Sequence, residues 1–228
     1  MYYRNILKEL ETWADSHYRK VLVLRGARQV GKTTAVRMFS ESFDTYIELN
    51  LELPADREIF ANFREINSLF NLILLKKQVK SQRGRTLLFI DEIQYSATAM
   101  QALRYFHEEM PELYVIAAGS LLELYLFREK VEISVGRVEY RWLYPMNFEE
   151  YLQAAGQNRL LELLSESTFP DYAESSLREQ FLQYALIGGM PEVVKSWLET
   201  KNIMEVRKCQ EAILTAYRDD ILKYSHTS

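Results

Sequence analysis

Val21-Leu-Val-Leu-Arg-Gly26-Ala-Arg-Gln-Val-Gly31-Lys-Thr-Thr34 is the stretch on which the reading of this chain turns. Its first four residues form an unbroken apolar run rich in strand formers, the pattern of a strand buried on both faces of a parallel sheet. A glycine-bearing loop follows, and from Lys32 the apolar residues Val36 and Phe39 recur at helical spacing. Gly26 to Thr33 matches G-x-x-x-x-G-K-[ST]. Glycines let backbone wrap closely around a phosphate, and successive N–H groups converge as a nest. The helix that follows turns its positive end to the anion. Lys32 is then placed to reach β- and γ-phosphates, and the Thr33 hydroxyl to ligate Mg²⁺. The expected nucleotide-binding set is Gly26, Ala27, Arg28, Gln29, Val30, Gly31, Lys32, Thr33 and Thr34. The competing reading is an ordinary strand–turn–helix, which would not need these residues between a buried strand and a helix.

Short apolar runs recur outward from this stretch. Thr86–Ile90 and Leu113–Ala118 read as buried strands, and Tyr46–Leu49 as a weaker, alternating one. Val138–Leu143 alternates as an edge or half-exposed strand does. Helical spacing marks Tyr3 to Ala14, Phe63 to Lys80 and Ala99 to Glu109. Strands alternating with helices predict an α/β fold with a mainly parallel sheet. After Pro145 strand patterns cease. Asn147 with Glu150 resembles a capping box. Helices are expected near Phe148–Ala155, Arg159–Glu166, Ser175–Leu186, Pro191–Leu198 and Met204–Lys223, punctuated by Gly156 and Gly188-Gly189. Two regions follow: residues 1–145 as a nucleotide-binding core and 146–228 as a helical lid or adaptor.

A magnesium site needs carboxylates, and Thr86-Leu-Leu-Phe-Ile-Asp91-Glu92 delivers two at a strand's C-terminal end, where open α/β sheets bind ligands. Asp91 is expected to hold Mg²⁺ and Glu92 to orient and polarise the attacking water. A solvated acid pair at a strand end is the alternative. Nucleoside kinases and many GTPases lack a base beside the acid. Hydrolysing ATPases with an additional strand between the two motif strands usually have one, and Tyr46–Leu49 is the expected insertion. With no Asn-Lys-x-Asp segment present, ATP is favoured over GTP. Ser120, ending Ala117-Ala-Gly-Ser120, fits either a sensor of the γ-phosphate or the N-cap of a helix beginning at Leu121-Leu122-Glu123. Arg137 fits either stabilisation of the transferred phosphoryl group, in its own chain or a neighbour's, or a surface pair with Glu139 or Glu132. Arg28 either touches phosphate or is solvated, and the solvated reading is preferred.

Composition bounds these readings. The chain has 228 residues, 48% hydrophobic and 26% charged, which suits one domain with an appendage. Eight glycines and five prolines exclude collagen-like and low-complexity classes. A net charge of −4 argues against a globally basic nucleic-acid binder. Cys209 is alone, which excludes an intramolecular disulfide framework, and His17, His107 and His226 lack metal-ligand spacing. Runs such as Asn71–Leu75 are too short for a bilayer and the N-terminus lacks a signal-peptide core, so a soluble, cytoplasmic protein is expected.

Several segments occur in an order that is similar to one family. They are Gly26 to Thr34, Phe89-Ile-Asp-Glu-Ile-Gln94, Ala118-Gly-Ser120, Gly136-Arg137, Leu143 to Glu150, and Tyr184-Ala-Leu-Ile-Gly-Gly-Met-Pro-Glu192. Together they resemble prokaryotic AAA-superfamily P-loop ATP-binding proteins, over essentially the whole chain. That resemblance implies a three-layer sandwich with strand order 5-1-4-3-2 and ATP hydrolysis coupled to conformational change. It places Lys32, Thr33, Asp91 and Glu92 in the roles given above, with Ser120 and Arg137 transferring less directly. Members commonly continue into a restriction-endonuclease-like domain, so a chain ending at Ser228 is expected to be either truncated before that domain or a shortened relative.

Two functional readings follow: a Mg²⁺-dependent ATPase, or a nucleotide-gated module whose helical part grips a protein or DNA partner, with assembly of identical chains also possible. Lys76, Lys77, Lys80, Arg83 and Arg85 form a basic cluster that suits either DNA or a solvated helix end. Most aromatic residues fall at core spacing, although Tyr2 and Tyr3 are candidates to stack on adenine. Cys209 reads as a core residue rather than a nucleophile.

Overall fold

The five apolar runs become the strands of one sheet in which every pairing is parallel. The computed structural model describes residues 1–61, 63–79, 84–120, 136–166 and 169–225. Its strands are β1 (Val21–Arg25), β2 (Thr45–Asn50), β3 (Thr86–Asp91), β4 (Tyr114–Ala118) and β5 (Val138–Trp142), in the spatial order β2-β3-β4-β1-β5. This is the expected order 5-1-4-3-2 read from the other side, and the fold is the P-loop α/β class.

The inserted strand is not the expected one. β4 lies between β1 and β3, whereas Thr45–Asn50 forms the far edge. Burial explains the exchange. Every residue of β3 is buried, and so are four of five in β4, while in β2 only Ile47 and Leu49 are buried. A central strand must be apolar on both faces, and β2 alternates. β5, the opposite edge, is also half-exposed, as its pattern predicts.

Chain contacts divide the molecule into two units. One comprises Ile6–Ala27 and Lys32–Leu143 and contains the sheet. After helix α3 (Pro54–Glu58) come Ile59 and Phe60, which with helices α4 (Ile66–Lys76) and α5 (Ala97–Glu109) share a core with Val21, Val23, Ile47, Leu88, Ile90 and Val115. Helix α2 (Lys32–Ser40) packs on β3 and β4 and against α1 (Ile6–Ala14), which buries Leu10 and Trp13. Helices on both faces make the three-layer arrangement. The helix expected from Phe63 to Lys80 runs only from Ile66 to Lys76, and α3 was not anticipated, although Pro54 at its first turn is a start signal.

The other unit comprises Met1–Asn5, Arg28–Gly31 and Tyr144–Ser228. Its helices are α6 (Phe148–Ala154), α7 (Asn158–Leu164), α8 (Asp171–Ile187), α9 (Pro191–Thr200) and α10 (Ile203–Ser225). Met146, Tyr151, Leu152, Leu163, Val194 and Val206 form its core, with Cys209 and Tyr2 packed against them. The capping box is complete: Glu150 N–H donates to Asn147 Oδ1 at 2.8 Å, and Asn147 N–H to Glu150 Oε2 at 3.0 Å. Gly189 accepts the Met146 N–H at 2.7 Å, and a Cβ on Gly189 would overlap the Met146 carbonyl. The second glycine of Gly188-Gly189 is therefore a packing requirement.

Candidate functional site

Register brings three strand ends to one edge of the sheet. Leu24 lies opposite Ala118, and Ala117 opposite Ile90, so Gly26, Asp91-Glu92 and Ser120 all emerge there. The loop from Gly26 to Gly31 carries positive φ at Gly26 (147°), Gln29 (62°) and Gly31 (98°). Conformations of alternating hand turn successive N–H groups toward one side, which is the geometry of an anion nest. Val30 is fully buried, Ala27 and Gln29 are exposed, and α2 begins at Lys32. Lys32 is 6% exposed, and its Nζ donates to the carbonyls of Gly26 and Ala27 at 2.9 Å each. Thr34 is exposed on the first turn of α2.

Thr33 Oγ1 donates to Asp91 Oδ2 at 2.6 Å. Burial raises the Asp91 pKa and the Glu92 charge adds to this, while the Thr33 hydrogen bond opposes it. A hydroxyl and a carboxylate offer the oxygen donors a hard divalent cation prefers, so this pair fits magnesium. Glu92 adopts a left-handed conformation, φ 52°, ψ 46°, which ends β3 and starts a short 3₁₀ turn at Ile93–Tyr95. A non-glycine residue there is uncommon and marks a constrained position. Its carboxylate is held from two sides: Gln94 Nε2 donates to Glu92 Oε2, and Ser120 Oγ donates to the same oxygen at 3.3 Å. Gln94 is 6% exposed, and its Oε1 is buried without a hydrogen-bond partner among the described residues. Sequence reasoning missed Gln94, since nothing in spacing says that a residue two positions on folds back. The alternative N-cap role of Ser120 involves residues 121–123, which lie outside the described residues.

Two arginines depart from expectation. Arg137 precedes β5, whose Val138 pairs with Val21 at the start of β1. It therefore sits at the opposite edge of the sheet from the loop, about 16 Å away along a five-residue strand at 3.3 Å per residue. There Arg137 Nε pairs with Glu108 Oε1 at 2.8 Å, not with Glu139; Glu132 lies outside the described residues. Of the alternatives for Arg137, strand direction separates it from its own chain's phosphate loop, and the ion pair is of the surface kind with Glu108 as the partner. Arg28 is not simply solvated: its guanidinium makes two bonds to Asp220, at 2.7 and 2.9 Å.

Two members of the basic cluster have partners within the chain. Lys77 pairs with Asp56 at 2.8 Å and Arg85 covers the rings of Phe43 and Tyr114; Lys80 and Arg83 lie outside the described residues. Among the described residues no group of three potential metal-ligating His, Cys, Asp or Glu exists, and no helix is long and apolar enough to cross a membrane.

A parallel five-stranded sheet with β4 inserted, a nest before α2 and an acid pair after β3 define an AAA-type P-loop protein. The chain belongs to the AAA domain family AAA_14, whose model matches residues 18–152. A second model, of a domain of unknown function (DUF8612), matches residues 178–228. Among solved structures, the chain is similar to the Walker-type ATPase of Pyrococcus abyssi: 15% identity, TM-score 0.60, covering 99% of this chain and 77% of that one. It is also similar to a Signal Transduction ATPase with Numerous Domains protein with a tetratricopeptide repeat sensor from Pyrococcus horikoshii: 16% identity, TM-score 0.53, covering 91% and 32%. At these identities the likeness concerns the fold. No curated protein matches the chain.

Proposed function

We propose that this protein binds ATP on the loop Gly26–Thr34 and hydrolyses it in a Mg²⁺-dependent reaction coupled to conformational change. The observation that carries the reading is the 2.6 Å bond between Thr33 and Asp91, which joins the end of the phosphate loop to the strand-end acid. Thr33 and Asp91 would hold the magnesium ion, which supplies charge neutralisation at the β- and γ-phosphates. The nest N–H groups and Lys32 bind and orient the triphosphate. Glu92, steadied by Gln94 and Ser120, accepts a proton from the attacking water at its carboxylate. The new bond forms from water oxygen to the γ-phosphorus, and the bond to the β–γ bridging oxygen breaks, releasing ADP and phosphate.

Phosphate release from the purified protein tests this directly. Lys32→Ala loses ATP binding, whereas Glu92→Gln binds ATP without turning it over. Normal turnover in Glu92→Gln would remove Glu92 from the mechanism.

A second reading, a nucleotide-gated module with little turnover of its own, is favoured by the contacts that group Arg28–Gly31 with Tyr144–Ser228. A change in partner affinity that depends on ATP, with negligible phosphate release, distinguishes it. Steady turnover by the isolated protein counts against it.

A further inference from the structure

The loop residues 28–31 are held by side chains from both ends of the chain. Tyr217 on α10 donates its hydroxyl to the carbonyl of Arg28 at 2.9 Å. Arg4 donates Nη1 to the carbonyl of Val30 at 2.8 Å. Arg4 is itself 5% exposed, and its Nε lies 3.2 Å from the buried Glu150 carboxylate. Asp220, one helical turn beyond Tyr217 and 5% exposed, accepts from a single Arg28 nitrogen, Nη1, at both of its carboxylate oxygens. Charge-assisted hydrogen bonds of this kind are stronger than neutral ones.

Peptide planarity gives these bonds a consequence for the nest. In a trans peptide the carbonyl of one residue and the N–H of the next point in opposite directions. Tyr217 draws the Arg28 carbonyl to itself, so the Gln29 N–H faces away from Tyr217. Arg4 draws the Val30 carbonyl, so the Gly31 N–H faces away from Arg4. Left to itself, a loop with two glycines and a left-handed glutamine samples many orientations, and fixing them costs conformational entropy. Burial raises the Tyr217 pKa, with the Asp220 charge adding to this, so the phenol stays protonated as a donor.

We propose that Tyr217 and Asp220 of the last helix are positioning residues of the nucleotide site, which with Arg4 hold loop residues 28–31 in the anion-binding form. This rests on the reading of the loop as a nucleotide site. By linkage the coupling is reciprocal: nucleotide on the loop tightens α10, and anything that displaces α10 loosens nucleotide.

The test is ATP affinity of the full chain by equilibrium titration, together with amide hydrogen exchange. Tyr217→Phe removes one hydroxyl and is expected to weaken ATP binding about 3- to 10-fold, the worth of one hydrogen bond, with little change in melting temperature. Asp220→Asn weakens it further, and Asp220→Glu recovers part of the loss. In the wild type ATP slows exchange across Ile203–Ser225, and Tyr217→Phe reduces that protection. Wild-type affinity and protection in both Tyr217→Phe and Asp220→Asn overturn the proposal alone. Tighter binding by Asp220→Asn also overturns it, because the carboxylate would then be competing with phosphate for Arg28. No ATP binding by the wild type, under conditions where it is folded, removes the nucleotide reading together with this inference.

Discussion

Thr33 and Asp91 stand 58 positions apart in sequence, yet the hydroxyl of one lies 2.6 Å from the carboxylate of the other. Two independent pieces of the fold meet here: the helix that starts after the loop, and the strand that ends in acid. Their separate contributions can be measured. Thr33→Ala is expected to reduce ATP affinity at least about 10-fold in the presence of Mg²⁺ and much less in EDTA, since it removes a metal donor rather than a phosphate donor. Equal losses in both buffers contradict a metal role for Thr33.

Gln94 steadies Glu92 without itself facing the nucleotide loop in sequence. On the proposed role of Glu92 as base, Gln94→Ala removes a bond that holds its carboxylate and frees it to rotate. The expected outcome is a fall in kcat of about 10-fold or more with KM nearly unchanged, because positioning of a base acts on the chemical step rather than on ground-state binding. A rise in KM with unchanged kcat would place Gln94 in substrate binding instead.

Arg137 lies at the wrong edge of the sheet for its own chain's site and pairs with Glu108. ATP turnover of dilute protein is therefore expected to be the same in Arg137→Ala as in the wild type. Specific activity measured against protein concentration checks this. An activity that rises with concentration in the wild type but not in the variant would assign Arg137 to a neighbour's site.

The Arg37–Glu48 pair predicts an acid dependence of stability. Arg37 donates to both oxygens of Glu48, at 2.6 and 2.9 Å, and Tyr46 adds a third bond at 2.7 Å. The Arg37 hydrogen bonds, aided by Tyr46 and opposed by burial, hold the Glu48 pKa below its ordinary value. The unfolded chain then binds more protons than the folded one across that interval, so the contribution is full above about pH 4.3 and is lost as pH falls through the lower folded value. Urea unfolding at pH 7 and near pH 3 is expected to show a smaller acid loss in Arg37→Met than in the wild type. An unchanged difference contradicts the coupling.

Gly189→Ala is expected to destabilise the protein by about 1–3 kcal/mol, since the new methyl meets the Met146 carbonyl in a packed site. Gly156→Ala tests a different cause, because there a positive φ of 72° is strained but nothing crowds the added carbon. Equal stability of Gly189→Ala and wild type in urea would refute the packing argument.

Much of this protein is legible in one dimension. Unbroken apolar runs identify β1, β3 and β4 as central strands, and alternation identifies β5 as an edge, because burial on one or two faces writes itself into residue type. The loop, its lysine and threonine, and the acid pair at the end of β3 are local patterns, so the sequence determined them. Local pattern does not say which strand lies beside which, and so the inserted strand was misassigned and the direction of β5 left Arg137 on the far edge. Nor does it pair Arg28 with Asp220 across 192 positions, or Arg4 with Tyr144 across 140. Such partners meet only when hydrophobic burial has collapsed distant segments together, and polar groups then satisfy each other wherever that collapse has placed them. The sequence by itself determined where the proposed phosphate site lies. Tertiary structure decided which side chains hold that loop in shape.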